Sequence, residues 1–599
     1  MTTDENAAGA ELDRLNENLS KMEELSQRLV TAMAHKRAVD PGLHGPKKEL
    51  FAKAATAYVQ EAFQNPAKLM EHQVGYWGSM LKHYFEVQKA LASGRLVAPE
   101  PEGGQPTDKR FSNPLWNTHP FFSYIKNNYQ LTSEAIENAI KDIDGLDEDE
   151  KKKVEFFTQQ IVDMLSPTNF LGTNPDALER AVETQGESLV TGLENLVADI
   201  EANDGELLVT LSDPKAFKVG ENLATTEGSV VFRNRLFELI QYKPTTETVH
   251  ATPLIIFPPW INKFYIMDLK EKNSLIKWIV DQGYTLFVVS WKNPDGSYGD
   301  VGMDDYIESG FLTAIDEVKK LTRQKEVNAV GYCIAGTTLS LTLALMAKRG
   351  DKSVKSATFF TTMTDFSDPG EVGVFLDNSF IDGVEREVAE TGILNSFFMS
   401  RTFSFLRAND LIYAPATRRY MMGEAPPAFD LLHWNGDSTN LPARMAVEYL
   451  RGLCQNNEFA EEGFKVCGEV LKSSDVKTTF CAIACETDHI AAWKACYNGF
   501  QKFGSRSKTF IVSESGHIAG IINPPSKKKY GHYTNPDMKL PADEWLSGAD
   551  FNEGSWWPRW EEWLKKKSGR MVEAREPGDS DHPVLGPAPG TYVVQRSTG

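Results

Sequence analysis

The chain has 599 residues, enough for more than one domain, and its formal net charge is −20 at pH 7. A charge of this size disfavours general binding to nucleic acid or anionic lipid, so any anionic substrate needs a local basic patch. The six cysteines form no CxxC pair and no zinc-site spacing, no apolar run reaches membrane-spanning length, and the polar start does not resemble a signal peptide. We therefore expect a soluble cytoplasmic protein with reduced thiols, no bound metal and no transmembrane segment.

Residues 1–215 are predicted to form a mainly helical N-terminal domain. Near its start, apolar side chains recur at three- and four-residue steps and form a narrow seam. The members of this seam are Leu12, Leu15, Leu19, Met22, Leu25 and Leu29. Such a seam usually packs on another helix of the same protein, but it could instead dock a partner or an apolar surface. A stretch rich in proline and glycine at 98–108 indicates a linker.

From residue 216 to residue 599, short β-rich runs alternate with helical ones. The clearest of these runs are Leu254–Phe257, Thr285–Ser290, Val327–Val330, Ala357–Phe360, Thr479–Ala484 and Thr509–Val512. Fully buried parallel strands have this composition, and the helices between them suit right-handed crossovers, so the pattern predicts a doubly wound α/β sheet. The segment at about 366–477 fits no strand–helix unit and predicts an inserted cap or lid.

The run VGYCIAGT, residues 330–337, lies between a predicted strand and a predicted helix. This is the layout of a nucleophile elbow, with Cys333 at the position where many hydrolases have serine. A lone buried cysteine is usually an inert apolar side chain, but the flanking Gly331 and Gly336 favour a catalytic one. The N-terminus of the following helix stabilises a thiolate, and the backbone N–H groups of Ile334 and Ile261 are candidates to bind a developing oxyanion.

A cysteine nucleophile needs a base and an acid that orients the base. Asp488 and His517 each follow a late predicted strand, where ligand sites of open α/β sheets lie, and their order along the chain is the one expected after such an elbow. Glu486 could replace Asp488 as the acid. His489 is the rival base, but adjacent side chains at the end of a strand diverge, so we assign His517 as the base and His489 as a supporting residue behind it.

A set of different short motifs is distributed from about residue 110 to residue 595. They include Arg110-Phe111, Trp116, Asn222-Leu223-Ala224, Gln241-Tyr242, Pro258 to Tyr265, Ser290-Trp291, Asn293-Pro294, Arg407 to Asp410, Trp434-Asn435, Asp437-Ser438-Thr439, Asp488-His489, Gly516-His517 and Gly554 to Pro558. Together they resemble the polyhydroxyalkanoate (PHA) synthases, and the length suggests the single-subunit class I type, the poly-3-hydroxybutyrate polymerases. One departure is Ala335, which replaces the first of the paired glycines in the family's Gly-x-Cys-x-Gly-Gly box; a methyl group fits there if the packing has slack.

The resemblance implies an α/β-hydrolase fold and an acyltransferase that polymerises (R)-3-hydroxyacyl-CoA and releases CoA. Short monomers of three to five carbons, such as 3-hydroxybutyryl-CoA, are expected from the class I resemblance alone. The family's catalytic residues fall on Cys333, Asp488 and His517, with Asp488 either orienting the histidine or acting more directly on the incoming hydroxyl. Lys263 and Arg407 are weak candidates for binding CoA.

The resemblance also implies a homodimer that forms through the predicted lid, and no cofactor other than the CoA of the substrate. It places the protein in the cytoplasm on the surface of PHA granules, in contact with the growing polymer, and we expect the N-terminal domain to make that contact. Two alternatives stay open: a thioesterase or polyester depolymerase on the same fold, and a non-catalytic granule-associated protein.

Overall fold

The computed structural model describes residues 2–34, 50, 52–57, 108–141, 143, 145–203 and 205–595, with side chains described from residue 16 onward. The predicted linker at 98–108, apart from Asp108, and the side chains of Leu12 and Leu15 lie outside the described part. The chain divides into two compact units, which are Met1–Asp213 with Ser404–Pro427 and Pro214–Phe403 with Ala428–Thr598. Among the described residues, no helix combines the length and the apolar character needed to span a membrane.

The first unit is helical. Its α-helices are Thr2–Ala34, Leu115–Thr118, Pro120–Lys141, Glu148–Met164, Pro175–Glu183 and Glu187–Ala202. The helix Glu148–Met164 begins at a capping box formed by Asp147 and Glu150. The predicted seam packs on a helix of the same unit through Leu25 and Leu29, which contact Val190 and Val197.

The second unit is built on a mixed sheet of eleven strands, whose order from one edge to the other is Asp550–Asn552, His532–Thr534, Lys508–Ser513, Thr479–Cys485, Val354–Phe360, Val327–Tyr332, Leu254–Phe257, Leu286–Trp291, Phe237–Tyr242, Gly228–Arg233 and Gly586–Pro587. Its six central strands are parallel and buried, and they are β4 (Leu254–Phe257), β5 (Leu286–Trp291), β6 (Val327–Tyr332), β7 (Val354–Phe360), β12 (Thr479–Cys485) and β13 (Lys508–Ser513). These six correspond to the six predicted runs, so the predicted parallel sheet is confirmed.

Antiparallel strands extend the sheet at both edges. They are β1 (Gly228–Arg233), β2 (Phe237–Tyr242), β14 (His532–Thr534), β15 (Asp550–Asn552) and β17 (Gly586–Pro587). Two further short strands, β3 (Thr248–His250) and β16 (Met571–Glu573), pair with each other. The sequence patterns did not predict these strands, most of which are short.

The α-helices that flank the sheet in chain order are Leu275–Asp281, Met303–Asp305, Thr313–Thr322, Ile334–Arg349, Trp493–Gln501, Ala542–Ser547 and Trp557–Lys565. A π-helical turn, Tyr306–Leu312, joins the second of these helices to the third. The helix Ile334–Arg349 follows β6 directly and is buried along nearly its whole length, which explains its apolar and threonine-rich sequence.

The chain between β7 and β12 forms no strand of the main sheet. It contains the α-helices Asn378–Thr391, Ser396–Leu406, Ala414–Ala416, Asp430–Asn435 and Ala443–Val447, and the small strand pairs β8 (Ile393–Leu394) with β9 (Leu441–Pro442) and β10 (Phe464–Val466) with β11 (Glu469–Leu471). Its π-helical turns are Asn409–Tyr413, Thr417–Met421 and Glu448–Gln455. Part of this chain, Ser404–Pro427, belongs to the first unit and the remainder to the second.

Candidate active site

Cys333 occupies a tight turn between β6 and the helix Ile334–Arg349. Its backbone has φ 54° and ψ −125°, a conformation that a residue with a side chain adopts only at a cost. The turn is fixed by hydrogen bonds in which the Cys333 N–H donates to the Phe360 carbonyl at 2.7 Å, and the Gly336 N–H donates to the Cys333 carbonyl at 2.8 Å. The backbone therefore has the geometry of the predicted elbow.

The two predicted elbow glycines are required by close approach. A Cβ atom on Gly331 would lie 2.6 Å from the Cα of Gly336, and one on Gly336 would lie 2.0 Å from the Oγ1 of Thr362. Ala335, by contrast, is fully buried within the helix and its φ is not positive. Its methyl group is thus accommodated at the position where the family usually has glycine.

The structure brings Asp488 and His517 together beyond the carboxyl ends of β12 and β13. The Nδ1 of His517 lies 2.7 Å from the Oδ2 of Asp488, and both side chains are buried. The Oδ1 of Asp488 accepts the backbone N–H groups of Ile490 and Ala491, both at 2.8 Å. Both carboxylate oxygens are therefore engaged, and the hydrogen bond to Nδ1 holds the imidazole in a fixed orientation.

His517 is also held next to the elbow. The hydroxyl of Tyr332, the residue before Cys333, donates to the His517 carbonyl at 3.4 Å, and the two rings are 6.2 Å apart. Although burial lowers the pKa of His517, the charges of Asp488 and then Cys333 raise it, and the resulting pKa is well above its usual range. With Nδ1 occupied by Asp488, the nitrogen that remains for Cys333 is Nε2.

The other five cysteines have thiols of low reactivity. Cys333 is half-buried, and no cysteine is in a disulfide. Burial raises the pKa of each of the others, to about 12 at Cys467 and further at the fully buried Cys454, Cys481, Cys485 and Cys496. These five thiols therefore stay protonated at neutral pH.

The two candidate oxyanion donors lie on neighbouring elements of the second unit. Ile334 is the first residue of the elbow helix, and Ile261 lies in the loop after β4. Trp260 connects the two elements, because its indole N–H donates to the Thr338 hydroxyl at 3.1 Å and that hydroxyl lies 3.2 Å from the Ile334 carbonyl.

Tyr449 is a neighbour of the elbow that the sequence patterns did not single out. Its ring packs against Trp260 and Phe366, with centroids at 5.3 and 6.3 Å. Burial, followed by the nearby thiols of Cys454 and Cys333, raises the pKa of its hydroxyl well above the usual range. An isolated tyrosine within an irregular insertion carries no sequence signal, so only the fold could reveal it.

Four further residues were candidates for supporting the catalytic residues or for binding the substrate. Glu486 is half-buried, and burial together with Glu514 raises its pKa, whereas the carboxylate that bonds to His517 is that of Asp488. His489 is half-buried beside Asp488, and its supporting role stays a prediction. Lys263 is buried and pairs with Asp437 at 2.8 Å, so its charge is already compensated. Arg407 belongs to the first unit, where it pairs with Asp410 at 3.3 Å.

A basic run near the site was also missed. Lys527, Lys528 and Lys529 are exposed on the turn that follows the His517 loop. That turn folds back on the loop, because the Gly531 N–H donates to the Glu514 carboxylate at 2.6 Å and the Glu514 N–H donates to the Gly531 carbonyl at 3.0 Å. Within the described residues, no group of three or more His, Cys, Asp or Glu side chains is arranged to hold a metal ion.

Comparison with known proteins agrees with the geometry. Residues 107–279 match the family model described as the N-terminus of poly-beta-hydroxybutyrate polymerase (PhaC), and residues 253–524 match the alpha/beta hydrolase fold. The predicted α/β-hydrolase fold is therefore confirmed. Among solved structures, a soluble variant of monoglyceride lipase from Saccharomyces cerevisiae matches with a TM-score of 0.36 and 10% identity, over 60% of this chain and all of that one.

Curated relatives match over nearly the full length. The poly(3-hydroxyalkanoate) polymerase of Methylorubrum extorquens is 42% identical over 540 residues, which cover 90% of this chain and 87% of the relative. The corresponding subunit PhaC of Cupriavidus necator is 37% identical over 539 residues, 89% of each chain. The predicted resemblance and the predicted acyltransferase activity are confirmed: the chain is an enzyme that belongs to the poly(3-hydroxyalkanoate) polymerase family.

Proposed function

We propose that the protein polymerises (R)-3-hydroxyacyl-CoA, with 3-hydroxybutyryl-CoA as the expected monomer, through a thioester on Cys333. The observation that carries this proposal is the alignment of Asp488, His517 and Cys333 at the carboxyl edge of the sheet, with Asp488 and His517 joined at 2.7 Å. The curated relatives named as poly(3-hydroxyalkanoate) polymerases support the same reaction. We expect the reaction to need no cofactor, because the CoA thioester already activates the acyl group.

The first step transfers the acyl group to sulfur. Cys333 gives its proton to Nε2 of His517, and the sulfur attacks the thioester carbonyl carbon while the π electron pair moves to the carbonyl oxygen. The oxyanion faces the backbone N–H groups of Ile334 and Ile261. When it collapses, the bond to the CoA sulfur breaks, and the CoA thiolate takes the proton from His517.

The second step forms the ester bond of the polymer. The hydroxyl of a second monomer or of the chain end gives its proton to His517, and its oxygen attacks the Cys333 thioester. The cysteine sulfur leaves and recovers the proton, so His517 is the base in one direction and the acid in the other. Thioester to oxoester is downhill, which explains why sulfur suits this reaction; a serine would trap the acyl group as an oxoester at the first step.

The role of Asp488 is to orient His517 and stabilise its imidazolium. Both of its carboxylate oxygens already have partners, Nδ1 of His517 and the N–H groups of Ile490 and Ala491. A more direct action of Asp488 on the incoming hydroxyl would require one of these hydrogen bonds to break. The observed contacts therefore support the orienting role.

Water must be excluded from the acyl-enzyme, or the thioester would hydrolyse. We propose that the irregular chain between β7 and β12, about residues 366–477, provides the lid and the contact of a homodimer. Tyr449 from this chain packs against Trp260 and supplies apolar cover on the loop after β4, and Phe366 packs against Tyr449 in turn.

Attachment to the polymer granule is proposed to use the first unit. Its helix Thr2–Ala34 buries Leu25 and exposes a band of apolar side chains, namely Leu19, Met22, Val30 and Met33. Helical spacing places these four on one face of the helix. An exposed apolar face of this kind suits contact with a hydrophobic polyester surface in the cytoplasm.

The proposal is tested with purified protein and (R)-3-hydroxybutyryl-CoA. We expect release of CoA together with insoluble polyester that sediments. Free 3-hydroxybutyrate as the main product would instead indicate a thioesterase or depolymerase.

Two cysteine variants complete this test. Cys333→Ala should abolish turnover, because it removes the nucleophile, whereas Cys467→Ala should retain it, because that half-buried thiol stays protonated. Turnover that survives in Cys333→Ala would contradict the covalent mechanism.

A further inference from the structure

The loop that carries the Ile261 N–H is a β-turn. The N–H of Asn262 donates to the Pro259 carbonyl at 3.4 Å, so the turn spans 259–262 and its central peptide joins Trp260 to Ile261. The two common turn types, I and II, differ by a rotation of that central peptide through nearly half a turn. The orientation of this one peptide therefore decides whether the Ile261 N–H points into the site or away from it.

A buried hydroxyl group contacts that peptide. The Oγ1 of Thr439 donates to the Trp260 carbonyl at 2.8 Å, and Thr439 is buried. Because the C=O and N–H of a trans peptide point in opposite directions, this bond directs the Ile261 N–H away from Thr439. The backbone N–H of Thr439 also donates to the Ile261 carbonyl at 3.1 Å, which places Thr439 against both sides of Ile261.

The residue at the third position of the turn favours the same orientation. Ile261 has no positive φ, as a type I turn requires, and its β-branched side chain would oppose the positive φ of a type II turn. The Thr439 hydroxyl adds a hydrogen bond that only the unrotated peptide can form. Removing it would leave the Trp260 carbonyl without this partner, an additional cost in a buried site.

Thr439 is itself rigidly held. The next residue, Asn440, accepts the Ser396 N–H at 2.9 Å and donates from its side chain to the Pro294 carbonyl at 3.1 Å. Before it, the indole N–H of Trp434 donates to the Lys263 carbonyl at 2.7 Å. The chain is thus fastened on both sides of Thr439, to Lys263 in the loop after β4 and to Pro294 and Ser396, so that Thr439 can impose an orientation on the turn.

We propose that Thr439 is a positioning residue for the oxyanion-binding N–H of Ile261. The inference rests on the proposed function, because it concerns the oxyanion formed when Cys333 attacks the thioester. In that attack the carbonyl π pair moves to oxygen, and a correctly directed N–H stabilises the charge as it develops. The side chain of Trp260 also contacts the elbow helix, because its indole N–H donates to the Thr338 hydroxyl.

The test compares Thr439→Val, which keeps the shape and loses the hydroxyl, with Thr439→Ser, which keeps the hydroxyl. The rate of acylation of Cys333 by (R)-3-hydroxybutyryl-CoA is measured by rapid quench and mass spectrometry. We expect Thr439→Val to slow acylation about tenfold or more without a matching change in KM, and Thr439→Ser to stay within about threefold of the unaltered enzyme. Thr439→Ala, which avoids any crowding by the valine methyl group, serves as a second variant and should lose as much.

Alkylation of Cys333 by iodoacetamide separates orientation of the N–H from general damage. This displacement forms no oxyanion, so its rate should be the same in all the Thr439 variants. The matched control is Thr322→Val, which removes another buried threonine hydroxyl, one that donates to the Val318 carbonyl at 2.7 Å within the helix Thr313–Thr322. That control should change neither rate.

Three results would contradict the proposed role of Thr439. Acylation by Thr439→Val at the unaltered rate would overturn the inference, as would equal losses in Thr439→Ser and Thr439→Val, or an equal slowing of alkylation. Failure of the unaltered enzyme to form polymer would count against the proposed function, while acylation of Cys333 would still report on Thr439.

Discussion

The reactivity of one sulfur depends on a few atoms around it. Cys333 occupies a strained backbone conformation at the end of β6, and His517 approaches from the end of β13 with its Nδ1 hydrogen-bonded to Asp488. The other five thiols have raised pKa values because they are buried, so a small alkylating reagent at neutral pH should report on Cys333 alone.

This selectivity allows the two candidate bases to be compared. We expect His517→Gln to lower the rate of Cys333 alkylation by iodoacetamide at pH 7 about tenfold or more, because no imidazole then takes the thiol proton. His489→Gln should change that rate by less than about twofold. Labelling is followed by peptide mass spectrometry, with Cys333→Ala as the blank. Equal effects of the two variants would refute the choice of His517 as the base.

The identity of the candidate catalytic residues followed from local sequence, whereas the contact partners of other residues did not. Cys333, Asp488 and His517 each follow a strand whose composition reveals it, and parallel strands bring their carboxyl ends to one edge. Lys263 looked available for an anionic substrate, yet it pairs with Asp437, more than 170 positions further along the chain. Thr439 contacts the Trp260 carbonyl across a similar separation. Contacts between residues so far apart in the sequence leave no periodic pattern from which they could be predicted.

At the scale of elements, the central strands were predictable and the edge strands were not. A parallel strand buried on both faces is a continuous apolar run, as in Leu254–Phe257. Strand β2 is also buried throughout but contains Glu238, a residue that argues against a buried strand. Its carboxylate accepts the backbone N–H groups of Thr591 and Tyr592 at 2.8 and 2.9 Å, and pairs with Arg233. The Glu238 carboxylate thus finds hydrogen-bond donors in residues about 350 positions further along the chain.

A buried ion pair likewise joins a helix of the first unit to a residue far away in the sequence. Asp199, on the helix Glu187–Ala202, accepts both Nε and a terminal nitrogen of Arg419 at 2.7 and 2.8 Å, and the Tyr420 hydroxyl at 2.7 Å. Thr210 adds two more hydrogen bonds to the same carboxylate. Burial raises the pKa of Asp199, but these bonds outweigh it and lower the pKa below its usual value.

We therefore expect Asp199→Asn to lower the free energy of unfolding of this unit by about 3 kcal/mol, because it leaves the largely buried Arg419 guanidinium without its counter-charge. Hydrogen exchange of peptides from the helix Glu187–Ala202 measures the loss. Since the folded pKa of Asp199 is lowered, its contribution is complete above the ordinary carboxylate pKa and is lost only as the pH falls through the folded value. The difference between the two proteins should hence be the same at pH 7 and pH 5.5.

The same helix supplies the control for this prediction. Glu201 pairs with Arg28 at 2.8 Å, but both side chains are exposed, so Glu201→Gln should leave the exchange rates nearly unchanged. Similar exchange in Asp199→Asn and Glu201→Gln would show that the buried cluster does not stabilise the helix.

At the scale of the whole molecule, the net charge of −20 opposes the approach of an anionic CoA ester. A local group of positive charges can still attract the substrate. At physiological salt the interaction between exposed charges is screened beyond about 8 Å, so the distant negative charges have little effect there. The exposed Lys527, Lys528 and Lys529 lie on the turn that folds back on the His517 loop. Lys529 and then the Ser515 hydroxyl lower the pKa of Tyr530, and Ser515 stands two positions before His517, the candidate base.

We expect the triple variant Lys527→Gln, Lys528→Gln, Lys529→Gln to raise KM for (R)-3-hydroxybutyryl-CoA about tenfold at low salt while kcat stays within about twofold. We expect the lysines to attract the CoA phosphates and to take no part in the transfer of the acyl group. For the unaltered enzyme KM should rise with added sodium chloride, and for the variant it should not, because the attraction that salt screens is gone. Steady-state CoA release over a series of salt concentrations measures both effects.

A second run of three lysines provides a control that distinguishes an effect of local charge from an effect of net charge. Lys565, Lys566 and Lys567 precede Ser568, whose hydroxyl accepts the side-chain N–H of Asn328 at 3.1 Å near the start of β6. This run therefore lies toward the amino end of the parallel strands, the end opposite the Cys333 elbow, and its conversion to glutamine removes the same three charges. If the overall charge governs substrate capture, the two triple variants should raise KM equally. If the turn beside His517 governs it, only the first variant should do so, and an equal rise in both would rule out a local phosphate-binding role for that turn.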